Sequence, residues 1–101
     1  MSRNPRIAVG SEELESFCRK HHIQKLALFG SALRDDFGPA SDLDVLVEFE
    51  PGRTPGLRFF TIQEELSGLL GRPVDLNTAE DLSIYYRDKI LAEAEPLYVA
   101  A

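Results

Sequence analysis

Only one cysteine, Cys18, occurs in the 101 residues, so no disulfide can form within the chain. Its companions Leu14, Phe17 and His21 recur at helical spacing, which marks Cys18 as a buried, reduced thiol rather than a ligand or nucleophile. Positive charge is also scarce: 11 Lys and Arg against 17 Asp and Glu give a net charge of −6 and a pI of about 4.8. That balance argues against non-specific binding to nucleic acid or to an anionic membrane, although metal ions can bring an isolated nucleotide onto an acidic surface. No apolar run approaches the roughly 18 residues of a membrane span, and the start of the chain carries Arg3 and Arg6 without an apolar targeting core. The expected compartment is the cytoplasm. Internal repeats and low-complexity segments are absent, and a composition of 44% hydrophobic and 28% charged residues suits one domain over 1–101 that buries roughly 65% of its unfolded surface.

What is present alternates helices with short strands. Ser11, Glu12 and Glu13 read as a cap and an acidic first turn, and Leu14, Phe17, Cys18 and His21 give the helix one buried face to about His22. His21 and His22 are adjacent and diverge by about 100° on a helix, so they read as structural or solvated rather than as a shared metal site. The run 26–29, Leu-Ala-Leu-Phe, has no polar alternation and predicts a strand covered on both faces, ended by Gly30. Residues 32–35 fit a helical turn, and Pro39 stops it. The next strand, 42–49, puts Leu43, Val45, Val47 and Phe49 on one face and Asp42, Asp44, Leu46 and Glu48 on the other. After a Pro- and Gly-rich loop, Thr54 and Pro55 read as cap and first residue of a helix. Its stripe is Phe59, Ile62, Leu66, Leu69 and Leu70, with Gly71 and Pro73 as its stop. A strand over 73–77 sets Val74 and Leu76 against Asp75. Thr78 and Asp81 then predict a capped final helical region through Leu82, Tyr86, Ile90 and Ala94, ended by Pro96, with an edge strand over 97–99.

The chemistry gathers between Gly30 and Asp44. Asp42 and Asp44 are two apart on a strand, so their carboxylates leave the same face with Cα atoms roughly 7 Å apart. That spacing suits one or two hard divalent ions, which prefer carboxylate and phosphate oxygens, and a metal pair serves in-line phosphoryl or nucleotidyl transfer. Asp75 is the candidate third carboxylate, either as a ligand or as the base for an incoming hydroxyl. Gly30 lets backbone amides approach an anion, Ser31 adds a hydroxyl, Arg34 can reach the same triphosphate, and Ser41 stands with them beside Asp42. The competing reading is a strand-to-helix turn next to a solvated acidic hairpin, because each motif alone is common.

Gly30-Ser31, ten intervening residues and Asp42-Leu43-Asp44 resemble the signature of the minimal nucleotidyltransferases of the DNA polymerase β-like superfamily. Thr54-Pro55-Gly56-Leu57, Gln63-Glu64-Glu65-Leu66, Gly71-Arg72-Pro73-Val74-Asp75-Leu76 and Ile90-Leu91-Ala92-Glu93-Ala94 extend the likeness to the MNT, or MntA-like, members over nearly the whole chain from about Leu14. The resemblance implies an α/β (α+β) fold, a short mixed β-sheet with helices packed on one face. It implies that Asp42 and Asp44 bind Mg²⁺, that Asp75 completes an acidic triad, and that Gly30 and Ser31 hold the triphosphate of ATP. Family members of this size are typically antitoxins paired with a HEPN-domain ribonuclease toxin, and some transfer AMP to a tyrosine of that toxin. Larger relatives use a second domain for the base and acceptor, so a partner chain, in a homo- or hetero-oligomer, is expected to complete the site.

Two other functions compete with adenylyl transfer to a toxin: neutralisation by occlusion alone, and nucleotidyl transfer to a small molecule or an RNA end. Tyr85, Tyr86 and Tyr98, beside leucine and isoleucine, read as core or interface packing before base stacking. Phe59 and Phe60 read as helix packing.

Overall fold

Alternating apolar residues give β2, Leu43–Phe49, one face for a core and one for water, and the strand sits next to the centre of the sheet. The computed structural model describes residues 10–30 and 42–100. Along the chain come α1 (Ser11–Lys20), β1 (Ile23–Phe29), β2, α2 (Phe59–Leu70), β3 (Val74–Asn77), α3 (Arg87–Glu93) and β4 (Glu95–Val99). The four strands form one mixed sheet in the order β3-β2-β1-β4. β1 runs antiparallel to β2 and to β4, whereas β2 and β3 are parallel. The expected turn over 32–35, the Pro39 stop and three candidate site residues, Ser31, Arg34 and Ser41, lie outside the described residues. Among the described residues no helix is long and apolar enough to cross a membrane.

The main core lies on one face of the sheet, where Leu14, Phe17 and Cys18 of α1 and Ile62, Leu66 and Leu70 of α2 meet Leu26, Leu28, Leu43, Val45, Val47, Val74 and Leu76. The two longer helices therefore pack on one face, as expected of this α+β class. The short α3 departs from that arrangement: a second cluster of Ala27, Phe29 and Leu46, with Leu82, Ile90 and Ala94 against it, lies on the opposite face. β1 is covered on both sides, and all of Leu26, Ala27, Leu28 and Phe29 are buried. Cys18 is fully buried, and burial raises its thiol pKa to about 12, so it stays protonated and inert.

Several boundaries differ from the sequence reading, each for a local reason. Gly10, not Ser11, occupies the cap of α1 and provides no side-chain bond, although its carbonyl accepts from Leu14 N–H at 3.1 Å. α1 ends at Lys20, and exposed His22 follows with φ +57°. Thr54 and Pro55 do not cap α2, because Gly56 takes φ +63° and a 3-10 turn over Gly56–Arg58 intervenes before Phe59. Gly71 closes α2 in the left-handed conformation, as its glycine signal predicts. The Thr78–Asp81 pair forms, but it opens only a 3-10 turn, and Leu82 returns to extended backbone at ψ 143°. Pro96 is not the stop of α3: the chain turns extended at Ala94, and Pro96 pairs with Ala27 inside β4, an edge strand that can spare an N–H.

α1 and α2 are tied together outside the core by Glu65. Its Oε2 accepts from His21 Nε2 at 3.0 Å, and Lys20 Nζ lies 3.0 Å from both carboxylate oxygens. A carboxylate only accepts, so Nε2 of this imidazole carries a hydrogen. The His21 ring is buried and meets Phe17 edge-on, with centroids 4.8 Å apart. The hydrogen bond from His21, and then that from Lys20, hold the Glu65 carboxyl below its ordinary value of 4.5. A carboxyl lowered on folding stabilises the fold above its unfolded pKa and loses that contribution as pH falls through the folded one. Glu65→Gln should therefore cost about 0.5–1 kcal/mol at pH 7, a modest figure because Glu65 is partly open to water. The difference from wild type should fade in urea melts as the pH is taken below 4.5.

Candidate active site

Phe29, the last residue of β1, lies opposite Asp44 of β2, and on the other side of β2 Asp44 is the register partner of Asp75. Leu43 and Val45 of β2, and Val74 and Leu76 of β3, all point into the main core. Pleating therefore sends Asp44 and Asp75 out of the other face together, one strand apart. Asp42 precedes β2 by one residue, and alternation places it on the same face, exposed to solvent; Asp75 is exposed and Asp44 half-buried. The three carboxylates thus share one end of one face. They do not form a closed cluster, because among the described residues no group of three or more His, Cys, Asp or Glu is drawn tightly enough to hold a metal. The donor set is all oxygen and reachable from water, which suits a hard cation that gathers its ligands on arrival.

Gly30 is required by Asp44. It has φ +65°, and a Cβ on it would lie 2.5 Å from Asp44 Oδ2 and 3.3 Å from its Cγ. The missing side chain is the space in which the carboxylate stands. Of the four residues expected to hold the nucleotide, Gly30 is therefore placed beside the carboxylates.

Two residues that the sequence reading did not single out for the site fix Asp75 from behind. β3 is an edge strand, yet its outward N–H groups are occupied: Val74 N–H donates to Ser67 Oγ at 3.0 Å and Leu76 N–H to Gln63 Oε1 at 2.9 Å. Ser67 Oγ in turn donates to the Gln63 carbonyl at 2.9 Å. These bonds bracket Asp75, so α2 sets the position of the third carboxylate along β2. The available signal was a polar pair four apart on α2, beside the apolar stripe and followed by Gly71. Asn77 adds a bond from Nδ2 to the Asp75 carbonyl at 3.0 Å. Arg87 opens α3, and its Nη2 donates to the Leu82 carbonyl at 3.2 Å, fixing the turn before the helix.

Two stability measurements test this geometry. Gly30→Ala should cost about 1–2 kcal/mol for its left-handed backbone and about 0.5–1.5 kcal/mol more for turning the Asp44 carboxylate out of its rotamer. In an Asp44→Ala background the second part should disappear, so denaturant melts of the four-member cycle should show a coupling; additive costs would exclude the contact. Ser67→Ala should cost about 1–3 kcal/mol by stranding the Val74 amide, with hydrogen exchange quickening at Val74 before it does in β1.

Comparison with known proteins identifies the fold and the family. The model of the nucleotidyltransferase domain family matches residues 11–97. Protein adenylyltransferase MntA of Thermococcus cleftensis is 33% identical over 91 residues, covering 81% of this chain and 90% of that one. A solved structure described as a minimal nucleotidyltransferase superposes with a TM-score of 0.70 at 39% identity, over 86% of this chain and 88% of that one. A complex of tri-AMPylated Shewanella oneidensis HEPN toxin with MNT antitoxin shares the fold, with a TM-score of 0.62 at 18% identity, over 89% of this chain and 70% of that one. The mixed four-stranded sheet is thus that of a solved minimal nucleotidyltransferase, and the chain belongs to the nucleotidyltransferase domain family.

Proposed function

We propose that this chain, with Mg²⁺, transfers AMP from ATP to a hydroxyl of a HEPN-domain toxin, the hydroxyl oxygen replacing pyrophosphate on the α-phosphorus, and so acts as its antitoxin. The observation that carries the reading is the register match of Asp44 with Asp75 across the parallel β2-β3 pair, on the open face beside Gly30. Supporting it are the name of the Thermococcus cleftensis relative and the likeness to an antitoxin in complex with an AMPylated HEPN toxin. In this reading Asp42 and Asp44 hold the ion, and Asp75 either completes the ligand set or takes the proton of the attacking hydroxyl. Bound Mg²⁺ supplies charge neutralisation between the carboxylates and the triphosphate oxygens. Gly30, Ser31, Arg34 and Ser41 hold the triphosphate, with Gly30 also making room for the Asp44 carboxylate. The face stays open to water around Asp42 and Asp75, so an acceptor can reach the carboxylates from solvent.

A second reading, occlusion of the toxin without chemistry, draws on the exposed Ile84, Tyr85 and Tyr86. One experiment separates the two. ATP labelled in its α-phosphate, incubated with the chain, Mg²⁺ and the HEPN-type protein encoded beside it, should label that protein. Asp42→Asn with Asp44→Asn should cut labelling by roughly a hundredfold or more, and chelation should abolish it. Unchanged labelling by the double variant would sink the assignment of these carboxylates, and a double variant that still protects cells from the toxin would favour occlusion.

A further inference from the structure

The stretch between β3 and the end of α3 turns large apolar side chains outward: Ile84 is 74%, Tyr85 89%, Tyr86 63% and Leu91 44% exposed. It is held in shape from beneath. Thr78 donates from its backbone N–H and its Oγ1 to Asp81 Oδ2, both at 3.0 Å. Tyr86 and Arg87 N–H donate to the Ser83 carbonyl at 3.0 and 2.9 Å, and Arg87 Nη2 reaches the Leu82 carbonyl. Leu82, Ile90 and Ala94 anchor the same stretch on Ala27, Phe29 and Leu46, the face that also bears Asp44 and Asp75. A pre-shaped apolar ridge that remains in water marks an interaction site, because contact there orders little additional chain.

Charge identifies the occupant. Glu80, Asp81, Asp88 and Glu93 outnumber Arg87 and Lys89 along the stretch, and the whole chain carries −6. Two copies meeting through this ridge would oppose acidic rims, which disfavours self-association. We propose that Ile84, Tyr85, Tyr86 and Leu91 are the docking ridge for the acceptor protein, whose matching surface is an apolar groove rimmed by Lys and Arg. The proposal rests on the acceptor-protein reading above and adds to it the surface and the chemistry of the partner's face. Because the ridge and the carboxylates share one face of the sheet, docking brings an acceptor hydroxyl to the side on which Asp44 and Asp75 open.

The test is Ile84→Ser with Tyr85→Ser in the full chain, titrated by calorimetry against the adjacent HEPN-type protein and assayed for label transfer. Both side chains are exposed, so the melting temperature should stay at that of wild type. The Kd should rise about tenfold or more, wild-type binding should weaken as salt is raised, and the KM for acceptor should rise while kcat is kept. A variant that binds and labels as wild type does would overturn the ridge and leave adenylyl transfer standing. Binding lost in the variant, with no labelling by wild type, would keep the ridge and remove the transfer reading. If wild type does not bind this protein, or sediments as a dimer that the substitutions dissolve, the assigned occupant is wrong.

Discussion

The parallel pairing of β3 with β2 is the constraint on which the rest of the site depends. A parallel neighbour must arrive by a crossover, and here α2 is that crossover, packed on the core face through Ile62, Leu66 and Leu70. The same helix turns Gln63 and Ser67 toward the outer edge of β3 and supplies acceptors for two amides that would otherwise face open solvent. One element thereby buries the sheet, protects its edge and sets the register that brings Asp75 level with Asp44. A slip of one residue would turn Asp75 into the core and Val74 or Leu76 into water, so the hydrophobic term itself enforces the alignment of the carboxylates.

Electrostatics runs against this arrangement. Three carboxylates on one end of a face repel one another. Two of them, Asp42 and Asp75, stay exposed, where water screens them. Asp44, the half-buried one, has its carboxylate where a Cβ on Gly30 would stand. Solvation of Asp42 and Asp75 and the missing Cβ at Gly30 both ease the crowding at this acidic end, which stays open to water.

What could be read in the sequence was whatever depends on periodicity or on glycine. The two faces of β2, the doubly covered β1, the stripe and stop of α2, and the shared face of Asp42 and Asp44 all follow from spacing alone. The edge position of the last strand was legible too. What could not be read depends on side chains that meet across the sheet. Nothing along the chain says that Gln63 and Ser67 reach β3, or that the left-handed turn at Gly56 detaches Thr54 and Pro55 from α2. The final helical region was legible only in its second half: α3 runs over Arg87–Glu93, whereas the Thr78–Asp81 pair caps only a 3-10 turn, after which Leu82 is extended and packs against Phe29 and Leu46.

The three tyrosines show the same limit at the level of function. Tyr98 and Tyr85 each have an aliphatic neighbour, and composition treats them alike. Topology separates them: Tyr98 lies in β4 against the core, while Tyr85 stands almost wholly in solvent on a turn fixed by Ser83. Burying Tyr98 is part of folding, whereas the apolar surface of Tyr85 remains unspent until something docks on it. Asp44 and Asp75 sit on β2 and β3 and the exposed apolar residues on the segment from Ile84 to Leu91 in α3, so no residue belongs to both groups, and substitution in one leaves the other in place.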